Sequence, residues 1–174
     1  MKKGPRGFSL IELLIVVAII LIIAAIAIPN LLRSRIAANQ ASAVGSLRTL
    51  NTAEVTYSTT YNTGYSAALG QLGPAAAGQN TPTAAYAGLV DEVLSGIGTP
   101  GTNTSVMVSS KSGYTFTYSA AATDTTGKVD FYNITATPIS PGTTGTNFYY
   151  TDQSGVIRQN STAPAGSSDS PLAG

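Results

Sequence analysis

Glu12 is the residue of this 174-residue sequence whose position most needs a chemical explanation. Apolar residues precede it, and sixteen unbroken apolar residues follow it at positions 13–28. A carboxylate in such a segment costs about 2.5–3.5 kcal/mol at the centre of a bilayer and less near the bilayer surface. Glu12 is therefore expected either to have a partner of opposite charge or to reach back to the membrane surface.

Enzymatic chemistry has few candidate residues. The sequence contains no His and no Cys, which excludes disulfides, thiolate zinc sites and cysteine nucleophiles and removes the usual general base. Two Asp-containing segments, 124–130 and 152–155, have the composition of tight turns and lack the ligand density of a calcium loop. We therefore predict no catalytic residues, no metal site and no cofactor.

The net charge of +1 arises from the first seven residues, which contain Lys2, Lys3 and Arg6. Without these residues, six basic and eight acidic residues remain, which gives a net charge of −2. Charged residues make up only 10% of the chain, well below the roughly 25% of a typical soluble domain. A body without a basic surface is not typical of nucleic-acid-binding proteins, so no nucleic acid partner is predicted.

The apolar segment has the length of a membrane span. Residues 8–28 cover 21 positions, which as a helix would reach roughly 30 Å, the thickness of one bilayer core. The segment fits a cleaved secretory signal with a small-x-small site at Ala25-Ile26-Ala27. It also fits an uncleaved signal anchor whose basic leader stays in the cytoplasm. Neither alternative has a use for Glu12.

The residues around Glu12 resemble the class III signal of type IV pilins and the related pseudopilins. The resemblance covers about the first 35 residues and rests on a Lys-containing leader, then Gly7, and then Phe8-Ser9-Leu10-Ile11-Glu12 directly before the apolar run. Pro29 and the Asn-Leu-Leu that follows it also match the family pattern. The resemblance implies that a membrane peptidase cuts between Gly7 and Phe8 and methylates the new amino group of Phe8. The apolar segment then stays on the mature chain.

The same resemblance gives Glu12 and Pro29 roles in assembly. After the cut Glu12 is the fifth residue, and its carboxylate can neutralise the Phe8 amine of another copy when the helices pack. Because a half-made buried ion pair is costly, we expect Glu12 to select the axial register of the subunits. Pro29 lacks an N–H and clashes with the preceding turn, so it should kink or locally open the helix.

The whole sequence predicts an α+β fold in which one long N-terminal helix packs on a C-terminal antiparallel sheet of about four strands. Residues 1–7 are the cleaved leader, 8–30 the apolar half of the helix and 31–61 its amphipathic half. A globular head follows at 62–158, and 159–174 form a loosely held tail rich in Ser, Pro and Gly. The amphipathic half has apolar or aromatic anchors, mostly at three- or four-residue steps: Leu32, Ile36, Val44, Leu47, Leu50, Val55, Tyr57 and Tyr61.

Within the head, alternating residues predict the strands. The candidate strands are 114–118, 129–137, 148–151 and 156–158, with an additional edge strand at 106–108. The first two are joined by a turn at 124–127. Before the sheet, we predict a one-turn helix at 66–69 with Ser66 as its N-cap, and a longer helix at 83–94 that stops at Gly96.

The resemblance implies a structural protein, a major pilin that polymerises through its N-terminal helix into a type IV pilus. The implied partners are other copies of the chain, the prepilin peptidase, the inner-membrane assembly platform with its ATPases, and minor pilins. The implied location is the bacterial inner membrane before assembly and the cell surface afterwards. A pseudopilin of a type II secretion system is the alternative, which a calcium site would favour. An exported soluble protein cleaved after Ala27 is a third interpretation.

Mass spectrometry of the mature N-terminus separates these interpretations. The pilin and pseudopilin interpretations both predict a chain that begins with methylated Phe8, since the peptidase cuts before the apolar segment. A secretory signal predicts a chain that begins at Ile28, and that result would end the pilin interpretation.

Overall fold

The structure is a computed structural model that describes residues 7–79, 81–102, 104–122 and 127–172. The chain divides into two compact units, Met1–Arg35 and Ile36–Gly174. One helix, α1, spans Leu10–Tyr61 and contributes residues to both units. Most of the turn predicted at 124–127 lies outside the described residues.

The first unit consists mainly of the apolar part of α1. Its Leu, Ile, Val and Ala side chains show no helical periodicity, which is typical of a helix that is apolar on all sides. Every large apolar side chain from Phe8 to Leu32 is exposed in the single chain. Among the described residues, α1 is the one helix long and apolar enough to cross a membrane.

In the second unit α1 buries one stripe of side chains. Residues three or four positions apart lie on the same side of a helix, and the buried ones are Ala43, Val44, Ser46, Leu47, Leu50, Ala53, Glu54 and Tyr57. Most of the anchors predicted for this part of the helix belong to this stripe. Val55 is instead 55% exposed, since it directly follows Glu54 and points away from the core.

A five-stranded antiparallel sheet packs against this stripe, which confirms the predicted α+β fold. The strands lie in sequence order, and they are β1 (Val108–Lys111), β2 (Tyr114–Ala122), β3 (Val129–Pro138), β4 (Phe148–Asp152) and β5 (Arg158–Asn160). The two strands that begin later than predicted are β1 and β5. Alternate residues of β2 and β3 face α1 and are fully buried, among them Tyr114, Phe116 and Ile134.

The region between α1 and the sheet corrects two predictions. The helix predicted at 83–94 is wrong, because the backbone there pairs with a neighbouring loop: Ala87 N–H donates to Gln71 O (2.8 Å) and Leu89 N–H to Leu72 O (2.8 Å). Only α2 (Glu92–Ser95) is helical, and it ends at Gly96 in the left-handed conformation, as predicted. The one-turn helix predicted from Ser66 is a 3-10 helix at Leu69–Leu72 with Ala68 at its N-cap.

The C-terminal segment is held against β5, which corrects the prediction of a loose tail. Gln159 N–H donates to Ser170 O (3.0 Å), and Leu172 N–H donates to Ile157 O (2.8 Å). Asp169 fixes the segment through both oxygens, since Asn160 Nδ2 and Gly166 N–H donate to them at 2.9 and 2.8 Å. Backbone pairing of this kind is not visible as composition, which is why a Ser/Pro/Gly-rich segment was expected to be loose.

The C-terminal segment therefore occupies the edge of the sheet at β5. At the other edge, the chain that follows α2 approaches β1 closely at Gly96. A Cβ on Gly96 would lie 2.6 Å from Val108 O, so the chain passes β1 at a distance that only glycine permits. The paired edge at β5 leaves few unpaired backbone groups there for another strand to join.

Two glycine substitutions test the packing of the head. A Cβ on Gly145 would overlap the hydroxyl of the buried Tyr114, whereas one on Gly45, in α1, meets nothing within 4 Å. We expect Gly145→Ala to lower the free energy of unfolding by about 1–3 kcal/mol, and Gly45→Ala to raise it by about 0.5–1 kcal/mol. Denaturant unfolding followed by near-ultraviolet circular dichroism measures both. Equal effects of the two variants would contradict the packing described.

Candidate functional site

The Gly7–Phe8 peptide bond lies in an exposed, non-helical segment immediately before α1. Gly7 and Ser9 are exposed, and Phe8 is 80% exposed. A peptidase needs an extended and accessible strand of backbone, and exposed segments next to regular structure provide it. The residues before Gly7 lie outside the described residues.

Glu12 forms part of the N-terminal cap of α1. The helix begins at Leu10, so Ser9 is the N-cap and Glu12 the third helical residue. Ser9 N–H donates to Glu12 Oε2 at 2.9 Å, which is the return bond of a capping box of the form Ser-x-x-Glu. The negative charge also lies in the first turn, where it interacts favourably with the helix dipole. Sequence reasoning identified Glu12 but not this local role, although the Ser-x-x-Glu spacing is its signal.

The surface around this cap is apolar on every side. Because Leu13, Leu14 and Ile15 are each more than half exposed, no face of the helix is covered within the single chain. Burial of one such side chain stabilises by about 1.5–3 kcal/mol relative to exposure. An apolar surface of this size requires a covering that is itself apolar.

Pro29 lies inside α1, and the backbone is helical on both sides of it. The missing N–H leaves the carbonyl of Ala25 without its usual helical partner. The local opening expected at Pro29 is not present within Leu10–Tyr61 of the single chain.

Sequence reasoning missed Glu54, the one buried carboxylate among the described residues, which is fully inaccessible to solvent. It lies four residues after Leu50 and three before Tyr57, so helical spacing alone places it in the buried stripe. That signal was present in the sequence. It was obscured by the general expectation that a lone glutamate on a helix faces water.

Glu54 holds the start of the loop after α1 by accepting hydrogen bonds from it. Ser66 donates to Glu54 through its backbone N–H at 2.9 Å and its hydroxyl at 2.6 Å. Tyr118 on β2 closes the cluster, since its hydroxyl donates to Ser66 O at 2.7 Å. Ser66 was predicted as a helix N-cap, and it instead links α1 to the sheet.

Burial raises the pKa of Glu54 above its ordinary value of 4.5, although the hydrogen bonds from Ser66 and Tyr118 act in the opposite direction. Burial, followed by the nearby Glu54 charge, also raises the pKa of Tyr118. Removal from water disfavours the charged form of each group.

Tyrosine rings pack around this cluster. Tyr57 is buried, as predicted, and its hydroxyl donates to Ala84 O at 2.7 Å. Tyr118 stacks on Tyr132 with ring centroids 6.0 Å apart, and Tyr65 meets the edge of Tyr132 at 4.7 Å. The hydroxyls of Tyr57 and Tyr118 donate to backbone oxygens and that of Tyr132 to Asn51 Oδ1, which makes the cluster a packing element.

The Asp152 segment is a turn. Asp152 Oδ1 accepts from the Ser154 N–H at 2.9 Å and from the Ser154 hydroxyl at 2.5 Å, and Gly155 N–H donates to Asp152 O. In the part of the chain that the structure describes, no three His, Cys, Asp or Glu residues lie close enough to hold a metal ion.

Comparison with known proteins places similarity in the N-terminal region. Residues 2–28 match the family model of the prokaryotic N-terminal methylation motif. The chain is 52% identical over 52 residues to the type IV major pilin protein PilA of Myxococcus xanthus, which covers 30% of this chain and 24% of that protein. It is 62% identical over 37 residues to the type IV wide pilus major component PilA4 of Thermus thermophilus, which covers 21% and 28% of the two chains.

The matched region spans about a quarter of the length of these relatives. No solved structure matches the chain. The similarity therefore covers the predicted cut site, Glu12 and the apolar part of α1, while most of the head is described by its own structure.

Replacement of Glu54 tests the buried carboxylate. Because its folded pKa is raised, its contribution to stability is fully present below the unfolded pKa and is lost as pH rises through the folded pKa. We expect the free energy of unfolding of the natural chain to fall from pH 4 to pH 7 relative to that of Glu54→Gln. Denaturant unfolding across this pH range measures the difference. The exposed Glu92→Gln is the control, and parallel pH profiles for all three proteins would contradict the expectation.

Proposed function

We propose that this chain, a type IV pilin by its N-terminal motif and its α+β fold, is a major subunit that polymerises through α1 into a pilus. One observation carries the proposal: the methylation motif at residues 2–28 includes the start of a helix whose apolar surface is uncovered on all sides. A cut before this segment leaves a mature chain that is stable only in a membrane or among copies of itself.

Processing supplies the charge that assembly needs. Cleavage of the Gly7–Phe8 bond creates an amino group on Phe8, four residues before the Glu12 carboxylate. In the single chain Glu12 uses Oε2 to accept from Ser9, and no described residue donates to Oε1. Oε1 is therefore available to the Phe8 amine of a neighbouring copy without loss of the cap. The uncleaved precursor has no amine at this position, so processing and assembly are linked.

The apolar helix acts in two environments in turn. Before assembly it spans the inner membrane, where lipid covers it. In the filament, other helices replace the lipid, and the contacts between them come from close packing because both surroundings are equally apolar. A misplaced copy would leave Glu12 unpaired in this core, at a cost of about 3–5 kcal/mol. The ion pair therefore sets the register, while packing supplies the cohesion.

The other proposed partners follow from this order of processing, membrane insertion and polymerisation. A prepilin peptidase is required for the cut and for methylation of Phe8, and an assembly platform with its ATPases is required to extract subunits from the inner membrane. Minor pilins join the same polymer through the same kind of helix. The polymer then lies at the cell surface, and the chain acts as a structural subunit with no catalytic role.

Two substitutions separate the effect of the Glu12 charge from the role of Glu12 in the helix cap. Glu12→Gln keeps an acceptor for the Ser9 N–H but loses the charge, whereas Glu12→Ala loses both. We expect both variants to reduce surface filaments more than about tenfold at normal membrane levels of the subunit, since the Phe8 amine is left unpaired. Electron microscopy and membrane immunoblots measure this, with Glu92→Gln as the control.

Two outcomes would contradict the proposal. Normal filaments in Glu12→Gln with a defect in Glu12→Ala would show that only the cap matters. A deletion strain with normal filaments but impaired protein secretion would show that the chain belongs to a secretion system.

A further inference from the structure

A cleft on the sheet face turned away from the packed helix has no part in the proposed assembly. It has a volume of about 310 Å³, within the range of roughly 300–1,000 Å³ that is typical of small-molecule sites. Three strands and the C-terminal segment supply its walls: Ser119, Phe131, Asn133, Tyr150, Asp152 and Ser167.

A row of polar side chains crosses the floor of this cleft. The strand register places Ser119 of β2 opposite Asn133 of β3, and Asn133 opposite Asp152 of β4. Among the described residues, the Ser119 hydroxyl and the Asn133 amide have no hydrogen-bond partner in the protein. Asp152 uses Oδ1 in its turn with Ser154, and its carboxylate also interacts with the neighbouring Tyr150 hydroxyl. The row thus offers a hydroxyl, an amide and a carboxylate oxygen to a ligand.

Aromatic rings flank the polar row on opposite sides. Phe131 is 46% exposed, and it lies two residues before Asn133 on the same strand face. Tyr150 lies two residues before Asp152, beyond the other side of the row. At about 3.4 Å per residue, each aromatic residue is about 7 Å from the row along its strand. The cleft therefore combines flat apolar surfaces with hydrogen-bonding groups between them.

The charges of the cleft exclude an anionic ligand. Asp152 is the one charged side chain among the described residues that line the cleft. Arg158, which lies opposite Tyr150 in register, donates through Nη1 to Asp169 O at 2.9 Å, and its Nε is buried away from solvent. A phosphate or carboxylate ligand would meet a negative charge without a free partner.

We propose that this cleft binds a neutral saccharide, with one sugar ring stacked on Phe131 and its hydroxyls bonded to Asn133, Asp152 and Ser119. Sugars present flat C–H faces that pack on aromatic rings, and vicinal hydroxyls that both donate to and accept from amide and carboxylate groups. Because the cleft opens on the face opposite α1, this binding is independent of the filament core. It therefore goes beyond the proposed function and does not require assembly.

Binding can be tested on the mature full-length chain in a polyoxyethylene detergent, which carries neither a sugar nor a charge. The probes are cellobiose, lactose and diacetylchitobiose, followed by saturation-transfer nuclear magnetic resonance and titration. We expect saturable binding of at least one disaccharide, and binding about tenfold weaker in Phe131→Ala. The matched control is Ile139→Ala, which removes a side chain that is 57% exposed outside the cleft.

Choline chloride is the discriminating probe, since two aromatic rings beside a carboxylate also suit a quaternary ammonium ion. The proposal is overturned if no disaccharide binds at millimolar concentration, if choline binds in place of sugar, or if Phe131→Ala and Ile139→Ala weaken binding equally. Phe131 lies outside the core, and an unchanged near-ultraviolet spectrum verifies that the variant is folded. Since the chain is unassembled in detergent, failure of filament formation leaves this result unaffected.

Discussion

The apolar surface of the first part of α1 is the constraint on which the rest of the molecule depends. Every large side chain from Phe8 to Leu32 is exposed in the single chain, so this segment always requires an apolar environment. The head must therefore fold by itself, without support from that part of the helix. It does so by using the remainder of α1 as one wall of its own core. The first part of α1 thus requires apolar surroundings, whereas its remainder packs in the core of the head. The residue composition of the helix changes between the two parts near Arg33.

The head achieves this without a covalent link. This chain has no Cys, so no disulfide closes its C-terminal region. Hydrogen bonds replace that bond at two places: Ser66 on the buried Glu54, and Asn160 and Gly166 on Asp169. Buried polar clusters of this kind tolerate little change, because removal of one partner leaves another group without a bond. The two clusters hold the loop after α1 and the C-terminal segment in place, and these are the segments in which the sequence predicts the least regular structure.

Features that depend on residues close in sequence could be predicted, whereas features that depend on contacts between distant residues could not. The motif from Gly7 to Glu12 and the strand alternation at 114–118 are local patterns, so both could be predicted. The segment 83–94 has helical spacing, but its backbone pairs with residues distant in sequence, and no local pattern reports that. Glu54 could be predicted only in part. Its helical spacing indicates that the side chain is buried, but no local pattern identifies its hydrogen-bond partner Ser66. The cleft could not be predicted at all, because it exists only through the register of β2, β3 and β4.

The C-terminal segment along β5 has a consequence for neighbouring copies of the head. An exposed edge strand can pair with the edge strand of another copy and so start aggregation. Because Gln159 donates to Ser170 and Leu172 donates to Ile157, this edge keeps few backbone groups for such pairing. In the assembly proposed above, copies are therefore joined through the N-terminal part of α1 and not by strand pairing between heads.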